Sequence, residues 1–295
     1  MLIFILSRNT SLYSTRRLVE TAEKMGHEVS VRDPLGFTIQ VQNPPSLLYL
    51  SRQILVPQAV IPRIGASITH FGIAVVRQFE QMGVFTLNDS VAISGSRDKL
   101  RALQILSRHN VALPKTVFVR KKREIIKAID EIGGVPVVIK LLEGTQGMGV
   151  VLAKELETAQ AIIELLQVAK QNILVQKFVE EAKGRDIRAF VIGDRVVAAM
   201  RRTAMNSVEF RSNLHRGGKA EKLELPKEFE EVAVKSTKLL GLKVAGVDLL
   251  EGKDGPLVIE VNSSPGLEGI EAASDVDVAA EIIRFVEEKA LSAER

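Results

Sequence analysis

VAGVDLLEGKDGPLVIEVN, residues 244–262, reads as two apolar runs, 244–250 and 256–262, folded back on each other by a tight turn. Taken as a three-residue hairpin loop, Lys253-Asp254-Gly255 puts glycine where φ must be positive and fixes a register. Residue 252 then faces 256, 250 faces 258, and Asp248 faces Glu260. Opposed residues share a face with Cβ atoms about 5 Å apart, and alternation with period two brings Asn262 to that face. Two facing carboxylates repel unless a cation lies between them. All-oxygen ligands favour magnesium or manganese, and magnesium commonly brings a nucleotide's phosphates with it. Acidic residues on a solvated strand face are the plain alternative. Against it, Glu260 and Asn262 end an apolar run beside the turn SSPGLEG (263–269), which points to a site.

Upstream, the chain alternates strands and helices. LIFIL (2–6), a helix over 14–25 capped by Gly26, EVSVR (28–32), QAVIPRIG (58–65), a helix over 70–82 and VFTLN (84–88) predict a parallel α/β sheet. Residues between 33 and 57 read as irregular. A helical stretch over 89–109 leads to KTVFV, a helix near 121–132, PVVIK (136–140), VVLA (150–153), a helix over 155–170 and ILVQKFV (173–179). A hairpin turning at Gly193-Asp194, helices over 227–240 and from about 276, and the opening hairpin complete the chain. The units divide as 1–95, 96–175 and 176–295.

Composition narrows the function by exclusion. The 295 residues include no cysteine, so thiol catalysis, disulfides and thiolate metal sites are out. Four scattered histidines give no zinc spacing. MLIFIL is too short for a membrane span and lacks the basic start of a signal peptide, which predicts a cytoplasmic protein. A net charge of +4 is too weak to argue for nucleic acid and suits an acidic substrate or nucleotide equally.

EGTQGMG (143–149) lies between two strands, after Lys140. A Walker loop places its lysine after the glycines and before a helix, so this is another device. A glycine hairpin can lay N–H groups over phosphates; an ordinary Gly-rich turn is the bland reading, and Lys140 shifts the balance because its ammonium reaches the same space. Lys99 in Arg97-Asp98-Lys99 is either a solvated helix residue or a second phosphate ligand. The Gly193-Asp194 turn pairs 192 with 195 and sets Asp186 opposite Arg201, a pair that in isolation only holds a sheet together. RSNLHRGG (211–218) offers Arg211, Asn213, His215 and Arg216 among glycines, suited to carboxylate or phosphate recognition. His215 reads better as a hydrogen-bond donor than as a general base.

The spacing from Lys99 through Lys140, EGTQGMG, ILVQKF, Asp186, RSN (211–213), Asp248 and Glu260-Val261-Asn262 resembles the ATP-grasp ligase superfamily. SRNTSLYSTRRL, IPRIG, RDKL, KLLEGTQGMGVVL, FRSNLHRGG and VNSSPGLEGIE narrow the resemblance to its RimK-type α-L-glutamate ligases, over residues 1 to about 285. The resemblance implies an ATP-grasp fold, two α+β units clasping ATP, preceded by a Rossmann-like N-terminal domain. It implies that Lys99 and Lys140 hold ATP phosphates with the 143–149 loop as their lid, Glu143, Gly144, Thr145, Gln146 and Gly147 being its nucleotide-binding residues. Gln176, Lys177 and Phe178 would meet the adenine, largely through main-chain groups, and Asp186 the ribose. Arg211, Ser212 and Asn213 would contact phosphates and the reacting acyl group, with Arg211 and Lys140 as catalytic candidates. Asp248, Glu260 and Asn262 would hold two Mg²⁺ or Mn²⁺ ions; Ser7, Arg8, Tyr13 and Arg63 would help bind the acceptor.

The implied reaction adds L-glutamate to the C-terminal glutamate of ribosomal protein S six through an acylphosphate, with free poly-α-glutamate as a further product. A homo-oligomer, a tetramer, is implied, with neither membrane nor direct nucleic-acid contact. Ligation to an amino-group carrier protein or a glutamyl-tailed coenzyme is the alternative of the same class. A catalytically silent ATP-binding regulator is the alternative of another class.

Overall fold

The computed structural model describes residues 1–142, 149–206, 209–212 and 217–293. Its first unit runs β1 (Leu2–Leu6), α1 (Tyr13–Lys24), β2 (Glu28–Arg32), β3 (Phe37–Gln40), β4 (Ser46–Tyr49), β5 (Arg52–Gln53), β6 (Ala59–Pro62), α2 (Thr69–Gln81) and β7 (Phe85–Thr86). β2-β1-β6-β7 is the expected parallel sheet. Its helices stop at Gly26 and Gly83, with φ of +83° and +76°, where residues with a Cβ are disfavoured. The stretch expected to be irregular folds into a small antiparallel sheet, β3-β4-β5. Strands of two to four residues are too short to display a period. Phe37 and Tyr49 nonetheless pack their rings 4.9 Å apart.

The helical stretch expected over 89–109 is two helices, α3 (Ser90–Arg97) and α4 (Lys99–Arg108). Asp98 breaks it in an extended conformation, and its carboxylate caps α4 by accepting from Arg101 N at 3.0 Å. Lys99 is therefore the first residue of α4. Asn88 (2% exposed) joins the units: its Nδ2 donates to Val244 O and Ser263 O at 2.8 and 2.9 Å. Its Oδ1 accepts from Lys243 N and Val244 N at 2.8 and 3.1 Å.

The middle unit is β8 (Thr116–Val117), α5 (Ile125–Glu131), β9 (Val137–Leu141), β10 (Val150–Ala153), α6 (Leu156–Val168) and β11 (Ile173–Lys177), with sheet order β10-β9-β11-β8. Ile129, Ile139, Ile163 and Val175 fill its core. β11 remains in this sheet to Lys177, so a division at 175/176 falls inside a strand.

The last unit comprises β12 (Arg185–Ile192), β13 (Arg195–Thr203), β14 (Lys219–Lys222), α7 (Lys227–Leu239), β15 (Val244–Gly252), β16 (Gly255–Asn262), α8 (Glu268–Ser274) and α9 (Val278–Ala293). The antiparallel order is β14-β13-β12-β15-β16. One face, with Ile187, Ala189, Val191, Val247 and Leu249, packs on Phe229 and Ala233 of α7 and Leu106 of α4. On the other, Phe190, Ile192, Met200 and Val244 join α8, α9 and Ile3, Ile5 and Leu18 in one core. The first and last units are thus packed together by burial of apolar surface. Among the described residues no helix is long and apolar enough to cross a membrane.

Candidate active site

The face of the last sheet that carries Phe190 and Ile192 changes character along its strands. Period two on β12 gives Asp186, Arg188, Phe190 and Ile192 in turn; the last two are core and the first two are charged. Arg188 pairs with Asp248, and Asp248 with Glu260, on successive strands. Asn262 lies opposite Gly246. A Cβ at Gly246 would stand 2.8 Å from Pro265 Cβ and 3.7 Å from Arg188 Nε, so glycine lets the 263–267 turn and this guanidinium close on the face.

The hairpin register differs from expectation at its turn. Gly252 pairs with Gly255, Glu251 with Pro256, Leu250 with Leu257 and Leu249 with Val258. A β-bulge at Ile259 then adds one residue to β16 and restores Asp248 opposite Glu260. Gly255 does hold a positive φ, +116°. In the β12–β13 hairpin, Ile192 pairs with Arg195 as expected, but a bulge at Val197 shifts Asp186 from Arg201 to Arg202. Arg201 instead meets Glu251 at 3.0 Å.

Asp248 is buried and doubly held. Arg188 donates from Nε and Nη2 to its two oxygens at 2.7 Å each, and Arg202 Nη2 lies 2.9 Å from Oδ2. Arg202 also forks onto Asp186 at 2.6 and 2.7 Å. Two guanidiniums and two carboxylates thus form a neutral chain. Burial alone would raise the Asp248 pKa; Arg188 and Arg202 outweigh it and hold it at about 2. The same two carboxylates hold Arg202 above its usual range despite burial.

The donors suit an oxygen-seeking divalent cation. Two carboxylate oxygens offer about four acceptor directions, of which Asp248 uses three. Glu260 is exposed. Asn262 Oδ1 accepts one bond, from Ser264 N at 2.9 Å. No three histidine, cysteine or carboxylate side chains gather as a metal cluster among the described residues, so a cation here would need Asn262 as its third protein ligand.

Two lysines reach this face from elsewhere. Lys140, near the end of β9, donates to Gln176 Oε1 at 2.7 Å, and Gln176 Nε2 to Thr116 Oγ1 at 2.9 Å. Burial, opposed by Glu260, helped by Lys99 and opposed by Asp248, brings the Lys140 ammonium down to about 8. Lys99 donates to the Leu142 and Leu141 carbonyls at 3.2 and 3.4 Å; burial lowers its pKa, against the pull of Glu260. Glu260 is therefore the shared counter-charge of both lysines. Leu141 N donates to Gly149 O at 2.9 Å where β9 and β10 diverge. Gly149 has φ +72°, and a Cβ there would meet Leu141 Cδ1 at 2.5 Å. Glu143, Gly144, Thr145, Gln146 and Gly147 lie outside the described residues, as do Asn213, His215 and Arg216.

Other expected site residues have evident structural partners. Lys177 Nζ donates to the carbonyls of Gly133, Gly134 and Val135 at 2.9 to 3.4 Å. The backbone N–H groups of Lys177 and Phe178 donate to Lys115 O and Pro136 O. Arg211 is forked by Glu209 at 2.8 Å on both oxygens and reaches Val150 O at 3.3 Å. Its pKa is raised by the Glu209 hydrogen bonds. Ser212 is buried. Ser7 Oγ lies 2.9 Å from Thr15 Oγ1, and Arg8 contacts Ser67 Oγ at 3.3 Å. Tyr13 donates to Glu271 of α8 at 2.9 Å, tying α1 to the last unit. Arg188, Arg202, Arg97 and Asn88 were not singled out as site residues from sequence. The period-two companion of Asp186 was the one available signal, for Arg188.

Residues 96–286 match the RimK-like ATP-grasp domain and residues 1–93 the RimK PreATP-grasp domain. A probable alpha-L-glutamate ligase of Rhodopirellula baltica is 58% identical over 287 residues, covering 97% of this chain and 71% of that protein. Probable alpha-L-glutamate ligase 2 of Shewanella sp. strain MR-4 is 55% identical over 296 residues, covering 100% and 99%. Among solved structures, the ATP-grasp ligase PsnB complexed with minimal precursor, Mg and ADP superposes with a TM-score of 0.75 at 21% identity, over 98% of each chain. A RimK domain ATP-grasp protein from Sphaerobacter thermophilus gives 0.73 at 22% identity, over 97% and 100%. At those identities the structures show the fold, that of an ATP-grasp protein with its preceding domain.

Proposed function

The chain belongs to the RimK-like ATP-grasp family of ATP-dependent ligases, and on that premise we propose that it joins L-glutamate to the C-terminal glutamate of ribosomal protein S six. Free poly-α-glutamate is the related product of the same chemistry. A cytoplasmic homo-oligomer, a tetramer, belongs to this reading. The observation that carries it is the position of Glu260: it faces Asp248 across two strands while Lys99 and Lys140 lie in its field. That arrangement suits a polyphosphate held between the middle and last units.

In this reading Lys99, Lys140 and the main chain of 143–147 bind the phosphates, 176–178 the base and Asp186 the ribose. Asp248, Glu260 and Asn262 would hold two magnesium ions, which when bound neutralise charge on the transferring phosphoryl group. A carboxylate does not condense with an amine at neutral pH, because its oxygen is a poor leaving group. An acceptor carboxylate oxygen therefore bonds to the γ-phosphorus as the bond to ADP breaks. The glutamate amine attacks the acyl carbon, loses a proton, and inorganic phosphate departs as the amide forms. Arg211, aligned by Glu209, is the donor for the tetrahedral oxyanion. Closure of the 143–149 loop would shield the acylphosphate from water.

Incubation with ATP, magnesium and L-glutamate, with and without ribosomal protein S six, tests the reading by mass spectrometry. Successive single-glutamate additions to the protein are expected. ADP release with soluble oligomers and an unmodified protein would replace this acceptor by free glutamate. No ADP release under either condition would overturn the ligase reading for these conditions and residues.

A further inference from the structure

The cations of this chain are unevenly placed. Residues 115–127 hold Lys115, Arg120, Lys121, Lys122, Arg123 and Lys127 against one carboxylate, Glu124, a balance of +5 where the whole chain carries +4. All six cations are exposed. They flank β8 and run on into α5. β8 is the last strand in the order β10-β9-β11-β8, and among the described residues only β11 pairs with it. Beside it opens a groove of about 410 Å³, to which the strand end contributes Val117, Phe118 and Lys121. α5 contributes Lys127, Ala128 and Glu131, which share one helix face.

Little inside the chain answers this charge. Lys122 meets Glu164 of α6 at 2.7 Å and Arg123 meets its neighbour Glu124 at 3.2 Å; both cations are largely exposed, and such pairs are weak. Among the described residues Lys121 and Lys127 make no hydrogen bond or ion pair. A run of like charges on a surface repels itself and attracts an anionic partner. The strip is also joined to the active site. Arg120 Nη1 donates to Asn172 Oδ1 at 2.5 Å, and Asn172 O accepts from Leu142 N at 3.0 Å. Leu142 O accepts in turn from Lys99 at 3.2 Å. The cations therefore start beside the residue that precedes the 143–149 loop. The partner is better matched by an acidic peptide than by nucleic acid. A nucleic-acid strand calls for stacking rings along a cationic track; Phe118 is the one ring among the described groove residues, and Glu124 and Glu131 interrupt the groove on the α5 side. Apolar Val117, Phe118 and Ala128 suit the methylenes of glutamate side chains, and the cations suit their carboxylates. Glu131, four residues beyond Lys127, sets the limit of the acidic stretch.

We propose that the groove between β8 and α5, with Lys121 and Lys127 as its charged contacts, is a docking surface for an acidic peptide segment, the run of glutamates already added behind the reacting carboxylate. This rests on the ligase reading above and gives it a second point of contact with the acceptor, outside the reacting site. An acceptor therefore binds more tightly as its acidic tail lengthens, until the tail spans the groove.

Fluorescence anisotropy of the full chain with a labelled peptide of ten α-linked glutamates, without ATP so that nothing turns over, tests the surface. Lys121→Gln/Lys127→Gln is expected to weaken binding at least fivefold. Lys235→Gln/Lys238→Gln removes the same charge from exposed positions of α7 and should leave the affinity within twofold. Lys121→Arg/Lys127→Arg should bind as wild type does. Equal losses in the two glutamine variants would show that net charge alone attracts the peptide, and would overturn the surface. So would wild-type affinity in Lys121→Gln/Lys127→Gln, or tighter binding of a ten-nucleotide single-stranded RNA that the same variant weakens. Turnover separates this surface from the reading it rests on. ADP release with ribosomal protein S six, together with peptide binding that ignores Lys121 and Lys127, would overturn the surface alone. Peptide binding that depends on the two lysines, in a chain that releases no ADP, would support the surface and overturn the ligase reading.

Discussion

Arg188 and Asp248 face each other across β12 and β15 through two hydrogen bonds of 2.7 Å, and both are largely buried. Removing one partner of a buried pair leaves the other uncompensated, a cost of about 3–5 kcal/mol. Asp248→Asn is therefore expected to lower the unfolding free energy by about that much, since Arg188 would lose its carboxylate and Arg202 would keep Asp186 alone. Urea denaturation measures it. The double variant Arg188→Gln/Asp248→Asn should recover part of the loss; a purely additive double variant would show that the two residues are not coupled.

The same pair predicts how a divalent cation is admitted. A guanidinium that occupies both oxygens of Asp248 competes with any metal for them. Arg188→Gln is expected to bind Mn²⁺ more tightly than wild type without nucleotide, read from the free-ion paramagnetic resonance signal. Equal affinities would mean that Asp248 keeps Arg188 when metal binds.

Lys140 predicts a pH signature. Its ordinary pKa is 10.5 and its folded value about 8. Between these values the unfolded chain holds more protons, so stability of the ligand-free protein rises with pH; below about 8 the full burial penalty is present. Lys140→Met should flatten this component of the urea midpoint between pH 8 and 10.5 and weaken ATP binding. A variant with the wild-type slope would assign the dependence to other groups.

The facing carboxylates were legible because two differences from the expected hairpin cancel. The turn closes at Gly252–Gly255, and the bulge at Ile259 returns the missing residue before Glu260. In the sister hairpin a bulge at Val197 is not offset, so Asp186 meets Arg202 and not Arg201. Alternation of apolar and polar residues does not encode bulges. Arg188 was illegible for another reason: its partner lies 60 residues away, and their pairing depends on β12 lying beside β15. The parallel sheet was readable because its apolar strands alternate with helices capped by glycine. The β3-β4-β5 sheet was not, since such short strands carry no period.

Asn88 carries the next prediction. It satisfies all four of its side-chain hydrogen-bonding positions, on Val244, Ser263 and Lys243. Asn88→Ala would strand several buried backbone groups, each costing about 1–3 kcal/mol. A loss of about 3 kcal/mol or more is expected, with faster amide exchange at Lys243 and Val244. A loss under about 1 kcal/mol would mean that water replaces the side chain.

Lys177 separates a structural from a nucleotide role within one strand. Its ammonium is engaged by three carbonyls at residues 133–135, just beyond α5, where Gly133 and Gly134 hold φ of +99° and +72°. The ammonium thus gathers three carbonyls of the loop that follows α5, as charge-assisted hydrogen bonds. Lys177→Met should therefore lower stability by about 1–2 kcal/mol and leave the KM for ATP within twofold. Gln176→Ala, which removes the acceptor of Lys140, should raise that KM. A tenfold rise in Lys177→Met with unchanged stability would return the Lys177 side chain to the nucleotide site and assign the carbonyls at 133–135 another partner.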